Sequence, residues 1–425
     1  MDISQRDKKI IWHPFTQEKT AKDVIAVKRA KGSYIYDKDD KKYLDLISSW
    51  WVNLHGHANE EIAKSIYDQA LELEHVIFAG FTHKPAVELC EGLREILPSS
   101  LERFFFSDNG STAVEVALKM SYQFWRNKGK EDRNMFLSFD GGYHGDTFGA
   151  MSVGYKSGFH SEFSELFFKV LSIPYPSIWE EDDQISQKED QALTILDQYL
   201  EEYGSKIASI ILEPLVQGAS GMRVCRVEFI KEVVLRVRKF GIKVIFDEIM
   251  TGFGRTGTNF ALEQIGVVPD FLCISKGITG GFLPLAITIT NNEIYEAFLS
   301  DDWKHAFAHG HSYTANPLAC AAAITSLKLL NSLECQNAIQ SINASHKRNM
   351  EMLKVNCPNI KRIRIIGTIS AFEVDDTFGL KDKFIEHGLL IRPLGNVIYL
   401  LPPYSTKAIE LDESYQKICK IIKSN

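Results

Sequence analysis

Between about residue 60 and residue 330, short apolar runs alternate with longer stretches of helical period, and this alternation restricts the chain to few folds. The runs 104–106, 135–139, 207–212 and 244–246 are rich in β-branched and aromatic residues, short enough for strands and apolar enough to be buried on both faces. Stretches such as 60–73 and 112–125 place apolar residues on one helical face between them. Parallel strands need a crossover long enough to hold a helix, so strands separated by helices imply parallel pairing. The expected core is therefore a large, doubly wound, mostly parallel α/β sheet covered on both faces.

Flanking segments have a different grain. Residues 1–55 hold an N-terminal arm and then YIYDKDDKKYLDL, whose alternation around a polar centre predicts a hairpin. Residues 331–425 begin with a long amphipathic stretch and continue through IRIIGTISAFEV, a short helix at 381–387, LLIRP and VIYLLPPY. The expected organisation is a large domain at 56–330 and a smaller α+β domain built from 331–425 together with the N-terminal hairpin.

At 425 residues the chain can bury a large core, and with a net charge of -7 and no basic stripe it is not suited to nucleic acid. Its seven cysteines are odd in number, scattered, and never in a C-x-x-C pair, as expected of reduced thiols in a cytoplasmic protein. The first residues, MDISQRDKKI, are too charged for a signal peptide, and no apolar stretch approaches the length of a membrane span.

The chemistry concentrates in KVIFDEIMTGFGRTGTNFALEQIGVVPDFLCISKGITGG, residues 243–281. Asp247 and Glu248 fall where the strand 244–246 ends, and Lys276 falls just after the strand 271–274. Ligands of open α/β sheets bind at the carboxyl ends of strands, so Asp247 and Lys276 can reach one ligand from neighbouring strands. A lysine there can form a Schiff base with an aldehyde, and an acid can keep a pyridine nitrogen protonated; together they point to pyridoxal phosphate. The same segment contains Gly252, Gly254 and Gly257 as a G-x-G-x-x-G, but no crossover helix can follow before Gly266 and Pro269, and two carboxylates would face a nucleotide's phosphate.

Other contacts can be sought at strand ends. In SDNGSTAVEVALKM, Gly110 and Ser111 precede a helix, and Thr112 with Glu115 has capping-box spacing, so free N–H groups there would attract phosphate. In FDGGYHGDTFGAMSVG, Tyr143 could stack on a pyridine ring, though a lone loop aromatic is the commoner case. His55, His57, His305, His309 and His311 lack metal-ligand spacing and read as solvated or hydrogen-bonding side chains. Trp50 and Trp51, taken as a strand, would face opposite ways, so at most one of them need line a pocket.

Together, WHPFT, SSWW followed by HGH, SDNGSTAVEVALKM, GGYHGDTFGAMSVG, DEIMTGFGRTG, SKGITGG, HGHSYTANPLACAAA and IRPLGNVIYLLPPY resemble the class III pyridoxal-phosphate aminotransferases of fold type I over residues 12–404. Within them the motifs are most similar to the branch that aminates 8-amino-7-oxononanoate in biotin synthesis. The resemblance implies that Lys276 links to the cofactor and shuttles protons, that Asp247 pairs with the pyridinium nitrogen, and that Tyr143 stacks on the ring. It implies that Gly110, Ser111, His311 and Ser312 bind the cofactor, the last from the second subunit of a homodimer with shared active sites. Phe15, Trp50, Tyr143, Asp146, Arg255, Lys276, Gly310 and Arg392 match substrate contacts, with Phe15 standing where many members carry a tyrosine. The implied reaction is amino transfer from adenosylmethionine, or alternatively lysine, to 8-amino-7-oxononanoate. Rival readings are another class III ω-aminotransferase, which WHPFT and SSWW oppose, and an inactive binding relative, which an intact Lys276 and Asp247 oppose.

Overall fold

The computed structural model describes residues 1–154 and 158–424. At its centre is a seven-stranded sheet in the spatial order Arg103–Ser107, Ala286–Thr290, Phe271–Ile274, Lys243–Asp247, Ile207–Leu212, Met135–Phe139, Val170–Ile173. Neighbours pair in parallel except Ala286–Thr290, which runs antiparallel to both strands beside it. The four strands 207–212, 243–247, 271–274 and 286–290 are buried at every position, as helical cover on both faces requires. On one face, Gly110–Asn127 packs Ala113, Val116 and Ala117 against Ala208, Ile245 and Cys273. The small Ala113 lets helix and sheet come close enough for the Thr288 hydroxyl to donate to its carbonyl at 2.8 Å. On the other face, Val227–Lys239 buries Phe229, Val233 and Val237.

Both chain ends build the smaller part. Val27–Lys31, Tyr34–Asp37 and Lys42–Asp45 form an antiparallel meander, and Leu389–Leu390 from the C-terminal region joins it in parallel with Lys42–Asp45. Lys361–Ile366, Ile369–Glu373 and Val397–Leu400 form a separate antiparallel sheet, and the helices Leu333–Asn356 and Ala408–Lys423 pack together beside it. One apolar cluster includes Leu212 and Phe246 of the large sheet and Phe372 and Tyr415 of the smaller part. The apolar core thus runs without a break from the large sheet into the smaller part. Among the described residues no single helix is long and apolar enough to cross a membrane.

The SSWW segment departs from the expected strand. Ser48–Trp51 is a tight helical turn in which Ser49 and Trp50 leave helical φ/ψ, and Ser48, Ser49 and Trp51 have positive φ. Asp45 dictates this: its buried carboxylate accepts the Ile47 and Ser49 N–H groups at 3.1 and 2.6 Å and meets His57 Nε2 at 2.9 Å. The turn drives Trp51 inward, where its indole N–H donates to the Tyr399 hydroxyl at 3.0 Å, and leaves Trp50 43% exposed.

Asp45→Ala would strand these donors at a cost of about 1–3 kcal/mol for each one left unmet. The expected result is a clear fall in thermal midpoint with red-shifted tryptophan emission; a change within the roughly 0.5 kcal/mol of ordinary surface substitutions would show that Asp45 does not hold the turn.

Candidate active site

The carboxyl edge of the large sheet opens into a cavity of about 480 Å3. Because Lys243–Asp247 and Phe271–Ile274 lie side by side with Asp247 opposite Cys273, Asp247 and Lys276 emerge on the same edge, and both line the cavity. Asp247 is buried; its Oδ2 lies 2.7 Å from His144 Nδ1 and its Oδ1 accepts the Ile249 N–H at 3.1 Å. Glu213 lies beside this pair, accepting the N–H groups of Tyr143 at 3.0 Å and Gly218 at 2.9 Å. Burial, with Asp247 adding to it, pushes the Glu213 carboxyl up to about 7 against the pull of His144 and the two N–H groups. The neighbouring Glu248 turns away: it accepts the Ala261 and Leu262 N–H groups and the Thr251 hydroxyl, and so caps Ala261–Ile265.

Lys276 starts a 3-10 turn, Lys276–Thr279, with a φ of 46, a strained value for a residue with a side chain. Its ammonium position is 4.6 Å from the centre of the Trp51 ring. Desolvation holds its pKa below the usual lysine range, although Asp247 and Glu213 pull the other way. More of the amine is therefore unprotonated at neutral pH than on a surface lysine.

The helix Gly110–Asn127 aims its N-terminus at the same cavity. The expected Thr112–Glu115 capping box is replaced by one between Asn109 and Thr112, with bonds of 3.1 Å in each direction. Glu115 instead accepts the Thr147 hydroxyl and the Gly149 and Ala150 N–H groups, tying this helix to Phe148–Val153. Gly110 and Ser111 are thus the first two helical residues, whose N–H groups have no intrahelical acceptor and add to a positive dipole end. A Cβ on Gly110 would press on Ile249 at 3.0 Å, and one on Gly145 would overlap Ser111, so both positions keep this end open.

Tyr143 lines the cavity, and burial raises its pKa. Its hydroxyl donates to Asp146 Oδ2 at 2.9 Å. At the mouth, Phe15 meets Trp50 edge-on at 5.6 Å and Phe159 at 6.0 Å, and Phe159 in turn meets Tyr143 at 6.0 Å. The Arg392 guanidinium lies 4.9 Å from the Trp50 ring centre and 6.0 Å from that of Phe15. The structure therefore gathers Gly110, Ser111, Tyr143, Asp247 and Lys276 around the cavity; Phe15, Trp50, Asp146 and Arg392 lie outside its lining, Asp146 bonded to Tyr143 and the others joined to it through Phe159.

Two groups of expected residues lie elsewhere. Gly310, His311 and Ser312 do not line this chain's cavity; Gly310 and Ser312 are exposed, and His311 sits 3.8 Å from Asp108. Arg255 is buried, donates to the Pro402 and Asn53 carbonyls at 2.8 and 3.0 Å, and stacks against Tyr404. The chain turns at Gly254 and Gly257, both with positive φ, and the guanidinium between them ties the large domain to the smaller one. Conversely, Trp51, His144 and Glu213 line the cavity without having been assigned a role from sequence. For His144 the signal was its place beside Tyr143, and for Glu213 its place after the buried run 207–212.

Residues 16–422 match the family model described as aminotransferase class III. The chain belongs to the class III aminotransferases. A Synechococcus elongatus relative named adenosylmethionine-8-amino-7-oxononanoate aminotransferase is 49% identical, covering 97% of this chain and 98% of its own. A crystal structure of an enzyme of that name from Methanocaldococcus jannaschii superposes with a TM-score of 0.91 at 34% identity, covering 99% and 98% of the two chains. An amine transaminase from an uncultivated Pseudomonas species, solved in a PLP-bound form, superposes with a TM-score of 0.88 at 28% identity, covering 97% of each chain.

The lowered basicity of Lys276 gives this class III aminotransferase a direct chemical test. When protein freed of cofactor is treated briefly with a small aldehyde and borohydride at neutral pH, the peptide carrying Lys276 should be modified first. Modification spread evenly over surface lysines would contradict the assignment.

Proposed function

We propose that this aminotransferase holds pyridoxal phosphate and moves an amino group from adenosylmethionine to 8-amino-7-oxononanoate, forming 7,8-diaminononanoate for biotin synthesis. The observation that carries the reading is the cavity itself. A desolvated amine, a carboxylate backed by an imidazole, an aromatic ring and an open helix N-terminus surround one cavity. The identity of the Synechococcus elongatus relative supports the choice of substrates.

Pyridoxal phosphate supplies, when bound, an aldehyde that takes up an amine and a protonated ring that withdraws electrons from the breaking C–H bond. Gly110 and Ser111 would bind its phosphate at the helix end, and Tyr143 would cover one face of the ring. Asp247 would hold the proton on the ring nitrogen, with His144 fixing the carboxylate's orientation. Lys276 would carry the covalent link to the cofactor, and its Nζ would take up and pass on a proton, a task suited to an amine of lowered basicity. The same amine would serve both half-reactions. Arg392, against the Trp50 ring, would pair with a carboxylate, which both substrates carry.

A homodimer with shared sites completes the proposal. Gly310, His311 and Ser312 do not line their own chain's cavity, and Gly310 and Ser312 are exposed, which suits a role at the partner's. Ligand bound across such an interface stabilises the assembled state, so cofactor removal should favour monomers in sedimentation. A cofactor-loaded monomer would contradict it.

Single-turnover mixing tests the chemistry. Adenosylmethionine should discharge the absorbance of the loaded enzyme, 8-amino-7-oxononanoate should restore it, and Lys276→Ala should slow both steps by about 10²–10⁴-fold while keeping the fold. Discharge by lysine and not by adenosylmethionine would change the donor, and discharge by neither would move the protein to another class III activity.

A further inference from the structure

We infer that His160 is a positioning residue for the amino donor: it fixes the Asp146 carboxylate at the cavity mouth, where that carboxylate meets the donor's cationic group. This rests on the proposed reaction only for the identity of the donor.

Asp146 is the mouth's acidic group, with its side chain 54% exposed beside Tyr143. A solvent-exposed carboxylate ordinarily samples several rotamers and loses entropy when a ligand fixes it. This one is held by each oxygen: Oδ2 accepts the Tyr143 hydroxyl at 2.9 Å, and Oδ1 lies 3.0 Å from His160 Nε2. Its own N–H donates to the Ser111 hydroxyl at 3.1 Å, which ties its backbone to the helix end.

His160 differs from its partner in being buried, with its side chain only 4% exposed. Its ring is stacked on Tyr143 with 5.7 Å between centres and 28° between planes. Its Nδ1 is buried without a hydrogen-bond partner among the described residues. The ring thus has one hydrogen bond to give, and Nε2–H gives it to Asp146. A buried imidazole spent on an exposed carboxylate does little for the core, where an apolar ring of the same shape would pack as well. It does fix the direction of the carboxylate, which shares Tyr143 with the aromatic cluster of Phe15, Trp50 and Phe159. That rim suits a substrate with a positive charge among carbon atoms, since aromatic faces and a preset carboxylate both favour a cation. Adenosylmethionine carries such a charge as a sulfonium bonded to three carbon atoms, a group the acceptor lacks.

Two variants separate positioning from packing. His160→Phe keeps the stacked ring and removes the donor; His160→Gln keeps an N–H able to reach Asp146. In the loaded enzyme, His160→Phe should raise the donor concentration for half-maximal single turnover by about tenfold, the scale of one charge-assisted hydrogen bond, with the acceptor's KM and the thermal midpoint close to wild type. His160→Gln should recover most of the donor affinity. Unchanged donor dependence in His160→Phe, or an equal loss for donor and acceptor, would overturn the inference. So would failure of His160→Gln to rescue while its midpoint matches wild type. If wild type itself does not turn over with adenosylmethionine, the donor assignment falls instead, and the same comparison is made with the amine that does react.

Discussion

A carboxylate at the end of a buried parallel strand costs several kcal/mol unless something pairs with it, and the site is arranged around meeting that cost at Asp247. Its strand cannot be moved outward, because Val244, Ile245 and Phe246 are fully buried between helices. His144 reaches Asp247 from the loop after Met135–Phe139, two strands away in the sheet, and the Ile249 N–H closes the other oxygen. The loop carrying His144 also carries Tyr143, so the requirement to pair one acid sets the position of the ring above it. Gly145 then lets that loop pass over Ser111.

Desolvation sets the protonation states around this pair. It keeps Lys276 less basic than usual and holds the Glu213 carboxyl up to about 7. Glu213 therefore retains its proton in the native state from about 4.5 to about 7, where the unfolded chain has released its own. Its contribution is a loss of stability as pH rises through that window, complete above about 7. The cavity tolerates this because Glu213 also anchors the Tyr143 and Gly218 backbone. Stability is given up where the geometry of the ring site is fixed.

Much of the frame was legible in the sequence because it depends on local patterns. The runs 135–139, 207–212 and 271–274 are strands over those same residues, and the charged residues after two such strands reach one cavity. What was not legible depends on pairs far apart in the chain. His144 and Asp247 are separated by 103 positions, and neither residue's surroundings announce the other. The burial of Arg255 was not legible because a guanidinium in a motif looks the same whether or not it holds two backbone carbonyls. The SSWW turn escaped because Asp45, outside the segment, dictates its backbone. The cap at Asn109 was missed because Thr112 and Glu115 have the same spacing as a real box, and Glu115 finds better use on a neighbouring helix.

The central claim is that Asp247, oriented by His144, keeps a bound pyridine ring protonated beside Lys276. Nitrogen-15 NMR of the protein loaded with ring-labelled pyridoxal phosphate measures that proton directly. The account predicts a pyridinium signal in the wild type that shifts to that of a neutral pyridine in Asp247→Asn. A neutral ring nitrogen in the wild type, or a signal unchanged by the substitution, would contradict it.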